Sequence, residues 1–158
     1  MSKGWLERHG EALAGSKLGG IVYHRVCCPI DRVLIPLTSG RVSLGPADTL
    51  LLTTRGARTG KRRFAALAFV RAGDDLAIIA SKGGAPRHPG WYHNLVAQPR
   101  VTVQYRDVVE ERVAREAQGE ERERLFAQAK SLYSTYAAYE GRTSRTIPVL
   151  VLSRPGSA

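Results

Sequence analysis

The sequence predicts an α+β domain in which short antiparallel strands form a small barrel with helices around it. From Thr49 onward, short apolar segments rich in β-branched residues alternate with tight turns. Few helical segments separate these strands, which favours a barrel over a parallel sheet with helical crossovers. The length of 158 residues, with 43% hydrophobic residues, is sufficient for one domain with its own core. We expect a helical extension over residues 1–40 and the barrel domain over residues 41–158.

The N-terminal extension is expected to be helical but interrupted. Trp5, His9, Leu13 and Leu18 have the spacing of a first short helix, which Gly19-Gly20 interrupts. A second apolar stripe at helical spacing consists of Val26, Ile30, Val33, Leu34 and Leu37, with Pro29 and Pro36 limiting its length.

The second stripe has two interpretations. It could pack as a helical layer on the barrel. Alternatively, it could lie on a membrane surface, with Arg25, Arg32 and Arg41 facing anionic head groups.

The strands and turns of the barrel follow in order along the chain. The turn signals lie at 56–60, 73–75 and 106–107, and a loop rich in Gly and Pro spans 82–90. A short helix is expected near 91–98 and a charged helix over 119–130. The predicted strands are 49–55, 62–71, 76–80, 101–105, 108–114 and 147–152.

The charge and cysteine content narrow the classes of function. Lys and Arg total 24 against 14 Asp and Glu, a formal net charge of +10 that favours polyanionic ligands. Cys27 and Cys28 are adjacent and the chain has no other cysteine, so we expect neither a disulfide framework nor a metal site. We find no secretory signal, and His24, Arg25 and Asp31 interrupt the apolar stretch of residues 18–38. A cytoplasmic location is therefore expected.

A first candidate binding segment is the turn Arg55–Arg63, which contains five cationic residues, two glycines and no acid. Glycine lets backbone N–H groups approach an anion, and arginine supplies paired donors to phosphate or carboxylate. The spacing of Gly56 and Gly60 differs from that of a phosphate-binding Walker loop. An isolated basic hairpin turn without any ligand is the alternative at this point.

A second candidate segment runs from Ala80 to Leu95. Strand residues end in Ser-Lys-Gly-Gly, where backbone amides, a hydroxyl and an ammonium converge, and a helix that starts after Pro89 follows. Trp91, Tyr92 and Asn94 on that helix could equally be ordinary core or hydrogen-bonding residues.

These segments together resemble the deazaflavin-dependent nitroreductase family, actinobacterial reductases that use coenzyme F420. The resemblance extends from about Gly40 to Leu152, and the first 40 residues match only loosely. It is carried by the segments Leu52–Arg63, Ser81–Ala85, His88–Pro99 and Arg142–Pro148. The family implies a split β-barrel of the FMN-binding type.

The resemblance also implies a cofactor and residues that bind it. Coenzyme F420 carries a deazaflavin ring, a phosphodiester and a poly-glutamate tail, so a cationic site suits it. By family position, Ser81, Lys82, Gly83 and Gly84 lie along the deazaflavin and phosphate, and Trp91 and Asn94 shape the wall of the site. The phosphate and glutamate carboxylates are expected to contact Arg55, Arg58, Thr59, Lys61 and Arg63.

The third feature is a run of tyrosines, Tyr133, Tyr136 and Tyr139, at three-residue steps near one face of a helix. Such a stripe is often part of a core, but in the family tyrosines of this region line the substrate pocket. We expect all three to contact the substrate, and Ser81 with Tyr133 or Tyr136 to polarise the acceptor or supply a proton. His88 and His93 have no identified partner and are not assigned a catalytic role.

The resemblance implies an oxidoreductase in which reduced F420 delivers a hydride from ring carbon C5 to an acceptor. Quinones fit the family, and nitroaromatic compounds are further acceptors. An FMN-binding split-barrel oxidoreductase is one alternative, although FMN lacks the glutamate tail that would use the five cations. A basic nucleic-acid-binding module and a non-catalytic binder of F420 or a haem-type ligand are others. Contact of residues 1–38 with the inner face of the membrane, and the oligomeric state, stay open.

Overall fold

The computed structural model describes residues 25–26, 28–38, 43–44 and 48–156. The expected first helix around Trp5 to Leu18 and the residue Arg41 lie outside the described residues. The expected boundary between residues 1–40 and 41–158 also falls outside them, so the division of the chain there stays a prediction.

Six antiparallel strands close into a barrel, as the sequence predicts. The order around the barrel is β1-β2-β3-β6-β5-β4, and every neighbouring pair is antiparallel. The bounds differ from the predicted ones by only a few residues, because the turn residues that end each strand are strong local signals. The strands are β1 (Thr49–Arg55), β2 (Arg62–Ala72), β3 (Asp75–Ile79), β4 (Arg100–Tyr105), β5 (Val108–Glu116) and β6 (Val149–Ser153).

Helices cover the barrel on two sides and close one end of it. Helix α1 is Cys28–Leu37, α2 is Gly90–Ala97, α3 is Gly119–Leu132 and α4 is Thr135–Glu140, and a short 3-10 turn spans Lys82–Gly84. The predicted charged helix therefore ends at Leu132, and the tyrosine run is divided between its C-terminal cap, Tyr133, and the separate helix α4.

Strand alternation produces two main cores. Inside the barrel, residues such as Leu50, Leu52 and Phe69 pack together. The neighbouring, outward-facing side chains Val70 and Ile79 pack instead against α3 and α4. The barrel interior is thus filled by side chains, so a ligand site has to be sought at an end of the barrel or on its outside.

Helix α1 lies on the outer face of β1 and β2, but its predicted apolar stripe does not face them. Ile35 is buried against Leu51 and Ala66. Asp31 is buried too, and its carboxylate accepts hydrogen bonds from the Ser43 hydroxyl and the Leu44 backbone N–H. Val26, Ile30, Val33 and Leu37 are exposed. The expectation that this stripe packs on the barrel is therefore wrong for these four residues, because Ile35, which is not part of the stripe, makes the apolar contact with β1 and β2.

The topology brings both candidate binding segments to the same end of the barrel. Strands β1 and β3 each pair antiparallel with β2, so they run in the same direction. The segments that follow their C-terminal ends, after Arg55 and after Ile79, therefore leave the barrel at one end. Strand β6 runs the opposite way to β3, so the residues that precede Val149 lie at that end as well. We call it the loop end.

Candidate functional site

The first cationic turn is closed by its own backbone and held by helix α2. Gly56 N–H donates to the Lys61 carbonyl at 2.8 Å, and Gly60 N–H donates to the Gly56 carbonyl at 2.7 Å. Asn94 on α2 accepts a hydrogen bond from Ala57 N–H at 3.0 Å and donates one to the Thr54 hydroxyl at 3.0 Å. One amide therefore joins the turn, strand β1 and helix α2, whereas the role of Asn94 in the wall of the site stays a prediction.

The cationic side chains of this turn point into solvent. Arg55, Arg58, Lys61 and Arg63 are exposed, as is Thr59. Within the described part of the chain, none of these four cations forms an ion pair. An unpaired cluster of cations on a braced turn is suited to an anionic ligand, because no internal carboxylate competes for it.

The second turn has the backbone geometry of an anion-binding nest. Ser81 has right-handed φ and ψ of −73° and −40°, and the next two residues, Lys82 and Gly83, have φ of +47° and +65°. A right-handed residue followed by a left-handed one directs successive N–H groups to a common point, which attracts a phosphate or carboxylate oxygen. Ser81 is buried at the base of this turn, and the Lys82 side chain is exposed beside it.

Gly84 fixes this turn against helix α4. It is buried with φ of +78°, and a Cβ atom placed there would lie 2.6 Å from the Tyr139 carbonyl oxygen and 2.8 Å from Arg142 Cβ. Only glycine fits both the conformation and the close approach. The nest and the tyrosine helix are therefore in direct backbone contact.

Arg145 is a residue of the loop end that sequence reasoning missed. Its guanidinium donates hydrogen bonds to the carbonyls of Ala80, Ser81 and Ala85 and lies 3.1 Å from His88 Nδ1. The sequence carried no signal for these contacts beyond the position of Arg145 in the closing segment of the resemblance, because its partners are 57 to 65 residues away.

The tyrosines lie in and beside the core between α3, α4 and the barrel. Tyr136 and Tyr139 are buried, and Tyr133, Tyr136 and Tyr139 form a chain of edge-to-face rings with centroids 6.0 Å apart. Burial raises the pKa of Tyr133 to about 12, and it also raises the pKa of Tyr136. Tyr133 is half-buried, and its hydroxyl donates to the Phe69 carbonyl at 3.3 Å. Their substrate-binding and catalytic roles stay predictions.

Two aromatic residues of α2 complete the loop end. Trp91 is partly buried and packs on the barrel core. Tyr92 donates a hydrogen bond from its hydroxyl to Glu116 at 2.9 Å, and its ring packs on His88. Helix α2 is thereby tied to the end of β5 as well as to the first turn.

Neither a metal centre nor a membrane span is seen in the described residues. No group of three or more His, Cys, Asp or Glu side chains is placed to hold a metal ion there. None of the helices in the ranges described is long and apolar enough to cross a membrane.

The residues of the loop end fit a ligand that carries several negative charges. A nest at Ser81–Gly83 and a turn with exposed cations lie at one end of the barrel, and helix α2 holds the turn through Asn94. Two separated anion sites of this kind suit a phosphate and a chain of carboxylates better than they suit a single phosphate.

Comparison with known proteins identifies the family. The sequence profile of the F420H(2)-dependent quinone reductases matches residues 38–154. The chain belongs to this family. It is 38% identical over 156 residues to an F420H(2)-dependent quinone reductase of Mycobacterium tuberculosis, an alignment that covers 95% of this chain and 96% of the relative.

Solved structures agree with this assignment. The chain is similar to the F420-H2 dependent reductase FDR-A, with 45% identity and a TM-score of 0.63 over 67% of this chain and 94% of that one. It is also similar to a structure described as a domain-swapped dimer, with 41% identity and a TM-score of 0.66 over 79% of this chain and 94% of that one. The resemblance, the split-barrel fold, the oxidoreductase class and coenzyme F420 as the cofactor are thereby confirmed. The nitroreductase label fits more loosely than the quinone reductase one.

Proposed function

We propose that this protein reduces a quinone with a hydride from reduced coenzyme F420, and that the loop end binds the cofactor. The observation that carries the proposal is that a backbone nest and a turn with exposed cations lie at the same end of the barrel in a member of this family. Nitroaromatic compounds are further acceptors in this proposal.

Each part of the loop end has a separate role in binding. The nest and Lys82 hold the phosphate, while Arg55, Arg58, Lys61 and Arg63 bind the glutamate carboxylates together with the Thr59 hydroxyl. Bound F420H2 supplies the hydride. Trp91 and the braced helix α2 form a wall that orients the ring, because a rotated ring would present the wrong carbon to the acceptor.

A proton has to accompany the hydride when a quinone becomes a hydroquinone. We assign its delivery to Ser81 and Tyr133, with Tyr136 as the third candidate. Tyr133 is the more accessible tyrosine, since its ring is half-buried whereas that of Tyr136 is buried. Replacing each of the two tyrosines by Phe and measuring quinone turnover separates Tyr133 from Tyr136. A fall of about tenfold in kcat with unchanged F420 affinity identifies the donor. Unchanged turnover in both variants removes both tyrosines from this role.

The test of the cofactor site is a fluorescence titration of the protein with coenzyme F420. Wild-type protein should bind at micromolar concentration or below, and Lys82→Ala should weaken binding about tenfold or more, as expected for loss of a charge-assisted hydrogen bond. Arg154→Ala is the matched control, because Arg154 is an exposed cation at the other end of the barrel. Binding of FMN in place of F420 would favour the FMN alternative, and salt-sensitive binding of DNA without F420 binding would favour a nucleic-acid module.

We also propose that helix α1 makes peripheral contact with an anionic membrane. Support comes from the outer face of α1, where Ile30, Val33 and Leu37 are 41%, 58% and 77% exposed, and from Val26, which precedes the helix and is 49% exposed. Arg32 on α1 and Arg25 before it are exposed as well, so this region offers apolar and cationic side chains together.

Vesicle co-sedimentation tests the membrane proposal with the full chain. Binding to phosphatidylglycerol vesicles should fall several-fold when Val33 and Leu37 are both replaced by Ser, whereas the control Leu132→Ser, an exposed apolar residue of α3, should bind as wild type does. Equal partition of all three proteins contradicts the proposal. A dimer that dissociates in the double variant, with no vesicle binding, would assign this face to a second copy of the chain.

A further inference from the structure

Arg145 occupies an unusual position in the loop end. It lies in the connection between α4 and β6, and its Nε and Nη2 atoms donate to Ala85, Ala80 and Ser81 carbonyls at 2.9, 3.0 and 2.9 Å. The Nη1 atom lies 3.1 Å from His88 Nδ1. One guanidinium therefore joins both sides of the loop that contains the nest.

The partners of Arg145 are dipoles rather than carboxylates. Burial lowers the pKa of Arg145, and the guanidinium is compensated by three carbonyl oxygens and an imidazole nitrogen. Partial burial of a cation destabilises the folded state through desolvation unless hydrogen bonds of good geometry compensate for it. The arrangement therefore favours this conformation of the loop, since the three carbonyls compensate the charge only when they point at the guanidinium.

The orientation of the carbonyls determines the orientation of the nest. In a trans peptide the C=O and N–H groups point in opposite directions, and no described peptide bond is cis. Because the Ala80 and Ser81 carbonyls point to Arg145, the N–H groups of Ser81 and Lys82 point to the opposite side. Those two N–H groups are members of the nest.

The conformation of Lys82 also requires support. Its φ of +47° is unfavourable for a residue with a side chain and persists only where the surroundings impose it. Arg145 holds the peptide before Lys82, and the contact of Gly84 with helix α4 holds the turn after it.

We propose that Arg145 is a positioning residue for cofactor binding: it holds the carbonyl side of the Ser81–Gly84 turn so that the N–H side faces an anionic group of the cofactor. This proposal rests on the proposed function of the loop end. Arg145 acts through the turn and does not itself contact the reacting atoms.

The test compares F420 affinity, kinetics and amide exchange in Arg145→Met and Arg145→Lys. Arg122→Met is the matched control, because Arg122 also donates from a partly buried guanidinium to a backbone carbonyl, that of Ile147, on the same connection. Arg145→Met should raise the Kd for F420 at least tenfold and raise the KM for F420H2 with kcat changed less than threefold. Arg145→Lys should recover part of the affinity, because an ammonium reaches some of the same carbonyls. The control should stay within twofold of wild type.

Hydrogen exchange of the ligand-free proteins provides the second readout. Arg145→Met should speed exchange in the 80–88 segment while the strands keep wild-type protection, which shows that the barrel is folded. If wild type binds F420 and Arg145→Met binds it equally well, or if the turn exchanges at the wild-type rate, the positioning role is overturned and the proposed function stands. If wild type itself binds no F420, the proposed function fails first. Should Arg145→Met not fold, the same two measurements on Arg145→Lys decide the matter: wild-type affinity together with wild-type exchange overturns the role.

Discussion

Arginine is used in opposite ways by the Arg112 cluster and by the two binding segments of the loop end. At the end away from the site, Arg112 is 3% exposed and pairs with Glu110, while its Nη1 donates to the Leu152 carbonyl at 2.8 Å and lies 3.9 Å from Asp75. Arg154 also pairs with Glu110. At the loop end, Arg145 bonds to carbonyls and a histidine, and the exposed cations of the first turn form no ion pair within the described part of the chain.

This difference distinguishes arginines that stabilise the fold from cations that can bind a ligand. Where carboxylates are present, positive charge is neutralised internally and contributes to the closure of the barrel. At the two binding segments, none of the carboxylates in the described part of the chain pairs with a cation, so positive charge stays available to an anionic ligand. A net charge of +10 therefore does not describe a uniformly basic surface, since one end of this barrel balances its own charges.

The largest effect is expected from Arg112→Met, which tests whether the paired end is purely structural. Loss of the guanidinium removes the donor to the Leu152 and Asp74 carbonyls and leaves Glu110 with Arg154 as its ion-pair partner, so the free energy of unfolding should fall by about 3 kcal/mol. The F420 affinity of the folded protein should not change. Denaturant unfolding and F420 titration measure the two quantities. A variant with near wild-type stability and lost affinity would mean that the two ends are coupled.

A smaller effect on stability is expected from Gly84→Ala, and Gly73→Ala at the other end of the barrel is its matched control. Both glycines have positive φ, +78° and +64°, but a Cβ atom would clash only at Gly84. Gly73→Ala should lower stability by about 1 kcal/mol and leave F420 binding unchanged. Gly84→Ala should carry that strain and also displace the nest from α4, weakening F420 binding by about tenfold or more. Equal F420 affinity in the two variants would show that the contact with α4 does not position the nest.

The smallest effect is expected from acidification and concerns His88. Burial, then Arg145 and then His93 lower the pKa of His88 below its usual 6.5, while Glu116 opposes the shift. The Tyr92 ring also packs on this imidazole. Because the folded-state pKa is the lower one, the unfolded chain binds the proton first. The stability that neutral His88 contributes is complete above about pH 6.5 and is lost as the pH falls through the folded-state pKa.

His88→Gln isolates this contribution, since the glutamine side chain offers an acceptor oxygen and does not titrate. The difference in Tm between wild type and His88→Gln should narrow or reverse as the pH falls from 7 to 5, and wild-type F420 affinity should fall over the same range. A difference that does not vary with pH would show that Arg145 does not depend on a neutral imidazole.

Helix α1 shows why part of the fold could not be predicted from the sequence. Its apolar residues at helical spacing predict a buried face, yet Asp31 and Ile35 are the buried residues. Periodicity indicates that a helix has an apolar face but not what covers that face. Asp31 is buried because its carboxylate accepts hydrogen bonds from the Ser43 hydroxyl and the Leu44 N–H, and the sequence does not reveal these contacts.

The tyrosine run shows a similar limit at the site. The three-residue spacing correctly indicates that Tyr136 and Tyr139 share a face, and the structure directs both into the core against the barrel. The preceding residue of the run, Tyr133, caps α3 rather than extending α4. Spacing alone could not distinguish a pocket wall from a core, because both require a continuous apolar face.

The sequence by itself determined the local features of this protein: six strands limited by turn residues, a turn with five cations and no acid, and the Ser-Lys-Gly-Gly segment. These features depend on neighbouring residues and on steric limits of the backbone, which are readable locally. Only the tertiary structure decided that the two binding segments share one end of the barrel, that Gly84 contacts α4 and that Arg145 orients the nest. Those contacts join residues 55 to 65 positions apart, and burial and hydrogen-bond geometry select them only when the barrel has closed.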